Sequence, residues 1–231
     1  MSWQPLIDGI TKAVQLILSG DPEVIQITLR SLETAGAATA MASLIGLPIG
    51  IALGLGSFRG RGFLKTLFAG LVGIPTVSLG LLLIVLFSRS GPLGYLDLLY
   101  TVPGIAIGEA VLVIPLIVSF VASAVEAKDV GVRDLTRTLG ASEFETSIAI
   151  VREAWSGVSL AIVSSFNRAF AELGVAMMIG ANIEGLTRLL TTAIALESNM
   201  GDFSLGFALS IILFVVVISL NFIISWLGRE R

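Results

Sequence analysis

Three charged residues, Glu109, Arg168 and Glu172, stand inside runs of the chain that are otherwise aliphatic. A charge at mid-bilayer costs about 2.5 to 3.5 kcal/mol on insertion scales, while each Val, Leu, Ile or Phe returns only about 0.3 to 0.6. Such residues are kept where they face protein or water, and they pair with one another. Ala161, Ser165, Arg168, Glu172, Ala176 and Gly180 recur at spacings of three or four, which predicts one helical stripe carrying both Arg168 and Glu172. Glu109, entering from the same side on another span, reaches a similar depth. Arg168 is therefore expected to neutralise one or both carboxylates, either as an ion pair that holds a helix bundle or as part of a pathway. There is no His and no Cys, so zinc sites, haem ligation, Ser-His dyads and thiol nucleophiles are excluded. An intramembrane hydrolase lacks its ligand set. An ion-coupled transporter using Glu109 and Glu172 as proton sites stays open, but a chain of this size without an internal repeat speaks against it.

A second set of residues makes a recognition element. Residues 134–150 form a polar interruption between apolar runs and read as two short helices bent at a point. Gly140 can take the left-handed conformation that closes the first helix, and Ser142 with Glu145 forms a capping box that starts the second. Phe144, Ile148 and Val151 then share one face of the second helix, an apolar ridge on a segment lying in water. Such a ridge requires a partner or a bilayer surface.

The elements that position these residues are membrane-grade. The chain is 55% hydrophobic and 13% charged, with a mean hydropathy of +0.96, whereas globular domains carry about 25% charged residues. Net charge is -3, which gives no reason to expect nucleic acid. No cleavable leader is evident. An all-α polytopic membrane protein is expected, with about five spans and an N-terminal interfacial helix over residues 5–19, ended by Gly20-Asp21-Pro22. The first span lies within residues 24–57, kinked by Pro48. Ala38, Ala42, Gly46, Gly50 and Gly54 repeat along it every fourth position, a seam that admits another helix at close range. Arg30 and Glu33 are placed at or outside its first turn. Further spans are expected over residues 63–87, with Pro75 in the body, and over 102–125, 156–179 and 205–227. A turn-like stretch at 180–186 leads to Thr187, which is placed as the cap of a short helix running to Glu197. The expected organisation is one transmembrane domain over residues 1–231, with the hairpin at about 126–155.

Basic residues near span ends set orientation. With the hairpin inside, the cytoplasmic side holds Arg59, Arg61, Lys65, Lys128, Arg133, Arg137, Arg152, Arg229 and Arg231, against Lys12, Arg30, Arg89 and Arg188 outside. Five spans then put the N-terminus outside and the C-terminus in the cytoplasm.

The phrase Leu139-Gly140-Ala141-Ser142, followed by a helix leading into a span, resembles the cytoplasmic loop of importer permeases of the ATP-binding-cassette class. Asp134-Leu135-Thr136 stands where that family has Glu-Ala-Ala, Ile150 is in place, and Arg152-Glu153 replaces Leu-Pro. Residues 166–174, Met177-Met178, Asn182-Ile183, Thr187-Arg188 and residues 191–197 are similar to the oxyanion branch of these permeases, and most similar to tungstate-uptake permeases. The resemblance implies a MetI-like permease core in a prokaryotic cell membrane, working as a homodimer that conducts an oxyanion: tungstate first, with molybdate or sulfate as alternatives. It implies partners as well: cytoplasmic ATPase subunits that bind ATP and Mg, and an extracytoplasmic binding protein docked on the outer loops. Asn182, Thr187 and Arg188 are hydrogen-bond donors suited to an anion or to that protein. The chain has no Gly-x-x-x-x-Gly-Lys-Ser/Thr phosphate loop, so it carries no cofactor of its own and ATP hydrolysis belongs to another subunit. The hairpin, with Asp134, Leu135, Thr136, Leu139, Gly140, Ala141, Ser142, Phe144 and Ile148, is then the element that couples to the ATPase.

Overall fold

Hydropathy and glycine spacing dictate an all-helical chain, and the computed structural model describes residues 3–229, with no strand among them. The last of the expected inner cations, Arg231, lies outside those residues. In chain order the helices are α1 (Gln4–Ser19), α2 (Pro22–Leu55), α3 (Arg61–Leu71), α4 (Thr76–Phe87), α5 (Val102–Thr138), α6 (Glu143–Glu153), α7 (Trp155–Phe170), α8 (Gly174–Gly180), α9 (Leu190–Met200) and α10 (Phe203–Arg229). Three stretches are long and apolar enough to cross a membrane unbroken: Pro22–Leu55, Val102–Asp129 and Phe203–Phe222. The other two expected spans are interrupted.

Residues 63–87 do not make one helix. The chain leaves helical geometry between Leu71 and Thr76. Pro75 has no N–H to continue the ladder and its ring collides with the carbonyl four residues back, and it also drives Ile74 out of the helical region. The span expected over residues 156–179 likewise breaks, with Ala171, Glu172 and Leu173 between α7 and α8. Conversely, the third span does not stop at Val125. It runs on as one helix of 37 residues to Thr138, about 55 Å at helical rise, so the first arm of the hairpin is the end of a spanning helix and not a separate short one.

The chain divides into two compact units, residues 1–37, 76–109 and 170–231 in one, and 38–75 and 110–169 in the other. In the first, α1 packs along α10, α9 against α10, and α4 against α8. Gly9 meets the Phe207 side chain so closely that an added Cβ would stand 2.6 Å away. The apolar face of α1 otherwise lies bare, from Ile7 to Leu18. Gly20 ends α1 in the left-handed region and Asp21 Oδ1 accepts from the Glu23 and Val24 amides, starting α2. The buried α8 sits among small residues: a Cβ on Gly80 would meet Met178, one on Gly180 would meet Ile105, and one on Gly108 would meet Ile179 and Val175.

In the second unit the small-residue seam of α2 finds its partner in α5. An added Cβ at Gly46 would lie 2.8 Å from Ile117, at Gly50 2.8 Å from Val121, and at Gly54 2.6 Å from Val125. Ala38 and Ala42 are also fully buried. Backbones this close exchange dispersion contacts and Cα–H···O contacts that larger residues would forbid. Gly54→Ala is therefore expected to destabilise the protein by about 1 to 3 kcal/mol, whereas Gly36→Ala on the same helix, where a Cβ meets nothing within 4 Å, is expected to be neutral or slightly stabilising. Thermal unfolding in detergent compares the two, and equal melting temperatures would contradict the seam.

Candidate functional site

The hairpin is built from local signals. Gly140 has φ +78°, the left-handed turn its position requires. The Ser142 hydroxyl accepts from the Glu145 amide at 3.3 Å, and Glu145 Oε2 accepts from the Ser142 amide at 2.8 Å, closing the capping box. Side chains then fasten α6 to the end of α5. Arg133 Nη1 donates to Glu143 at 2.6 Å and its Nη2 to Asp129 at 2.8 Å. Arg137 also holds Glu143, at 3.0 Å, Lys128 reaches Glu153 at 3.4 Å, and Thr146 donates to Thr136 at 2.9 Å. Thr136 thus braces the hairpin from inside. Thr146 and Ile150 are buried on the inner face, while Leu135, Leu139 and Phe144 are bare on the outside, Phe144 being 75% exposed. Ile148 is exposed and Val151 half-buried, so the expected ridge is present with Phe144 at its crest. Asp134 is exposed and its carbonyl accepts from the Thr138 hydroxyl, and Ala141 fills the turn. From α6 the chain bends by 55° into α7.

The membrane carboxylates are placed differently from the stripe expected of them. Glu172 lies in the break between α7 and α8, so no continuous helical face runs through Arg168 and Glu172. Glu172 Oε1 accepts from the Val175 amide at 3.1 Å, which caps α8, and its carbonyl accepts from the Thr191 hydroxyl at 2.8 Å. A carboxylate at a helix N-terminus answers the free amides there, and that bond holds the chain out of helix. Glu109 and Glu172 belong to the same unit, are 1% and 2% exposed, and lie within electrostatic reach of each other. Glu109 Oε2 has no hydrogen-bond partner among the described residues. Arg168 stands half-buried in the last turn of α7, in the other unit.

The loop between α8 and α9 is a small closed structure. Thr187 does not cap a helix: its hydroxyl donates to the Gly180 carbonyl at 2.5 Å and accepts from the Ile183 amide at 2.9 Å, and it is fully buried. Its single hydroxyl proton is committed to the seven-residue closure. Asn182 has φ +53°, a left-handed position that Asn tolerates, and its Oδ1 is buried without a partner among the described residues. Arg188 donates to Glu23 at 3.0 Å and lies 3.4 Å from Glu184. The helix that follows starts at Leu190 and runs to Met200, beyond the expected Glu197. Thr192 accepts from the Leu189 amide and Ser31 from the Leu190 amide, both at 2.9 Å.

Sequence reasoning missed what anchors this loop. Arg30 is well inside α2, and its guanidinium donates to the carbonyls of Arg188 at 3.0 Å and Gly185 at 2.9 Å. Glu23, Arg30, Glu184 and Arg188 together line a cavity of about 250 Å³. No spacing rule joins residues some 155 positions apart. A mid-helix Arg in an apolar run was the one available signal. No group of three or more His, Cys, Asp or Glu residues suited to a metal ion occurs among the described residues.

With this geometry in hand, the comparisons are specific. Residues 46–230 match the family described as "Binding-protein-dependent transport system inner membrane component". The tungstate uptake system permease protein TupB of Peptoclostridium acidaminophilum is 34% identical, over 97% of this chain and 99% of its own length. The protein of that name from Campylobacter jejuni is 32% identical, over 97% and 94%. A chain of the inward-facing MetNI methionine ABC transporter superposes with a TM-score of 0.74 at 16% identity, covering 91% of this chain and 96% of that one, which establishes a shared fold. The chain belongs to the binding-protein-dependent transport family and is a multi-pass inner-membrane permease subunit.

The hairpin's ion cluster makes a pH prediction. The hydrogen bond from Arg137, with the charges of Arg137 and Arg133, holds the Glu143 carboxyl below its ordinary value of 4.5. A carboxyl whose folded pKa is depressed contributes its stabilisation fully above the unfolded value and loses it as pH falls through the lower folded one. A spin label at Ser147→Cys is expected to stay immobile at neutral pH and to loosen below pH 4.5, and Glu143→Gln should remove that pH dependence. Unchanged mobility in the parent protein throughout the acid range below pH 4.5 would contradict the cluster.

Proposed function

We propose that this chain, an inner-membrane component of a binding-protein-dependent transport system, is the conducting subunit of an ATP-driven importer of an oxyanion, tungstate first. It works as a homodimer with cytoplasmic ATPase subunits that hold ATP and Mg. The oxyanion arrives on a binding protein seated at the outer loops. The orientation that goes with this puts the hairpin and the C-terminus in the cytoplasm and the N-terminus outside. The substrate assignment is supported by near-full-length identity to two proteins that carry tungstate in their names.

The observation that carries the coupling role is the contrast between the two faces of the hairpin: Ile150 and Thr146 buried, Phe144 and Leu139 bare at 75% and 78%. An ordered element with a fixed inner face and an apolar outer one fits a groove on a rigid partner. ATPase closure pushes on Phe144 and Ile148. Glu143, Thr146 and Glu153 pass the force to Arg133, Arg137, Thr136 and Lys128 on α5. Because α5 is a single helix from Val102 to Thr138, displacement of its cytoplasmic end is carried into the bundle as rigid-body motion. Asp134, Leu135, Ala141 and Ser142 set the turn that holds the ridge in place.

At the other end, Asn182 and Arg188 present the outer loop to the binding protein, while buried Thr187 keeps the loop closed. Glu109 and Glu172 in the first unit and Arg168 in the second act as charged residues of the interior, each holding its helices in register or bordering the path.

Reconstituted with its ATPase and binding protein, the complex is expected to take up tungstate in an ATP-dependent manner, with molybdate second. Transport of sulfate at an equal rate would contradict the assignment. Gly140→Val, which forces a β-branched residue into the left-handed turn, should leave the permease inserted but reduce uptake about tenfold or more. Normal uptake by that variant would contradict the coupling role.

A further inference from the structure

The second unit contains a cavity that none of these roles uses. It has about 240 Å³ of space, against roughly 30 Å³ per liquid water, and lies among α2, α3 and α5. Its apolar wall includes Leu53 and Phe68, and its polar groups are Lys65, Thr66, Ser119 and Ser123. Buried helical hydroxyls such as Ser31 and Ser165 are satisfied by the carbonyl four residues back, those of Ile27 and Ala161. Ser119 Oγ, like Ser43 Oγ on α2, is buried with no partner among the described residues, and of the two Ser119 alone lines this cavity. A buried hydroxyl without a hydrogen bond costs about 1 to 3 kcal/mol, so its retention points to a partner that is not part of the chain.

The charge beside the cavity says which kind. Glu126 is flanked by two cations: Lys65 Nζ contacts its Oε2, and Arg61 Nη2 its Oε1 at 3.0 Å. Arg61 also donates to the carbonyls of Leu53 and Gly54 at the end of α2. One carboxylate between two cations leaves a net positive charge at the rim, and Lys65 has donors beyond the one given to Glu126. Two hydroxyl donors one helical turn apart on α5, a third on α3, an ammonium and no unpaired carboxylate together suit an anion with several equivalent oxygens.

We infer that Ser119, Ser123, Thr66 and Lys65 form a transient site for a tetrahedral oxyanion in transit. This rests on the proposal that the chain conducts one. The site is built to be weak. Its charge is half-compensated by Glu126, and its other wall is apolar, so an anion is accepted without being trapped, as a conducting path requires. A lipid phosphate shares the same chemistry, and the test separates the two sources.

The chain has no cysteine, so Ser123→Cys gives this subunit a single reporter thiol, read on the permease band after labelling of the full transporter complex. In detergent without added lipid, sodium tungstate is expected to slow labelling by a water-soluble thiol reagent several-fold, with sodium chloride at equal ionic strength having no effect. Protection by added phosphatidylglycerol but not by tungstate, or no protection at all, overturns the inference. Ser119→Ala supplies an independent measure. Removing an unpaired buried hydroxyl should leave the melting temperature equal or higher, while losing one charge-assisted hydrogen bond should lower tungstate uptake about tenfold. Unchanged uptake overturns the site. If the parent complex takes up no tungstate, the functional assignment itself has failed, which is a distinct result from a parent that transports and a Ser119→Ala variant that transports equally well.

Discussion

Everything in the second unit depends on how closely α2 and α5 approach each other. Gly46, Gly50 and Gly54 leave no side chain on the facing strip of α2, and Ile117, Val121 and Val125 fill the space from α5. In a bilayer there is little hydrophobic gain from bringing two apolar helices together, so contact area and backbone proximity must supply the attraction. The seam fixes α5 along several turns, and α5 in turn carries the hairpin. Arg61 completes the join by placing its guanidinium on the last carbonyls of α2 and on Glu126 of α5, a cation where the helix end is electronegative. Packing this close resists bending of α5 over those turns.

The first unit solves a different problem, that of ending helices inside an apolar setting. Backbone amides exposed at a helix start need acceptors wherever water is scarce. Glu172 serves α8, Ser31 and Thr192 serve α9, and Thr187 closes the loop between them. Glu172 is therefore tied to structure through its backbone carbonyl and its carboxylate together, and the same carboxylate lies within electrostatic reach of Glu109. A break at that point costs helix hydrogen bonds and gains a fixed buried carboxylate beside a packed loop. That is a feature of membrane proteins where irregular backbone lies within protein and away from lipid.

Legibility followed the range of the interaction. Gly140, the Ser142–Glu145 capping box and the glycine seam were readable because each is a pattern within a few residues on one element. The family resemblance added the MetI-like class and the tungstate branch. The interruptions were misread because hydropathy does not register them: residues 63–87 and 156–179 are apolar enough to span, yet Pro75 in one and the Glu172 cap in the other stop the helix. The length of α5 was misread for the opposite reason, since polarity at Glu126 to Arg137 signals departure from lipid and not the end of a helix. Thr187 looked like a cap because it precedes a helical pattern, and only the fold reveals that its hydroxyl turns back to Gly180. The grip of Arg30 on the loop between α8 and α9, and the meeting of Lys65 with Glu126, join distant stretches that no local pattern connects.

The claim that matters most is that the Phe144 face of the hairpin is bare because a partner covers it in the assembled transporter. Phe144→Cys places a unique thiol there, in a chain with no other. Its rate of modification by a water-soluble thiol reagent should be fast in the isolated permease and strongly suppressed once the ATPase subunits are bound. Equal labelling in the free permease and in the ATPase-bound, transport-active complex would contradict it.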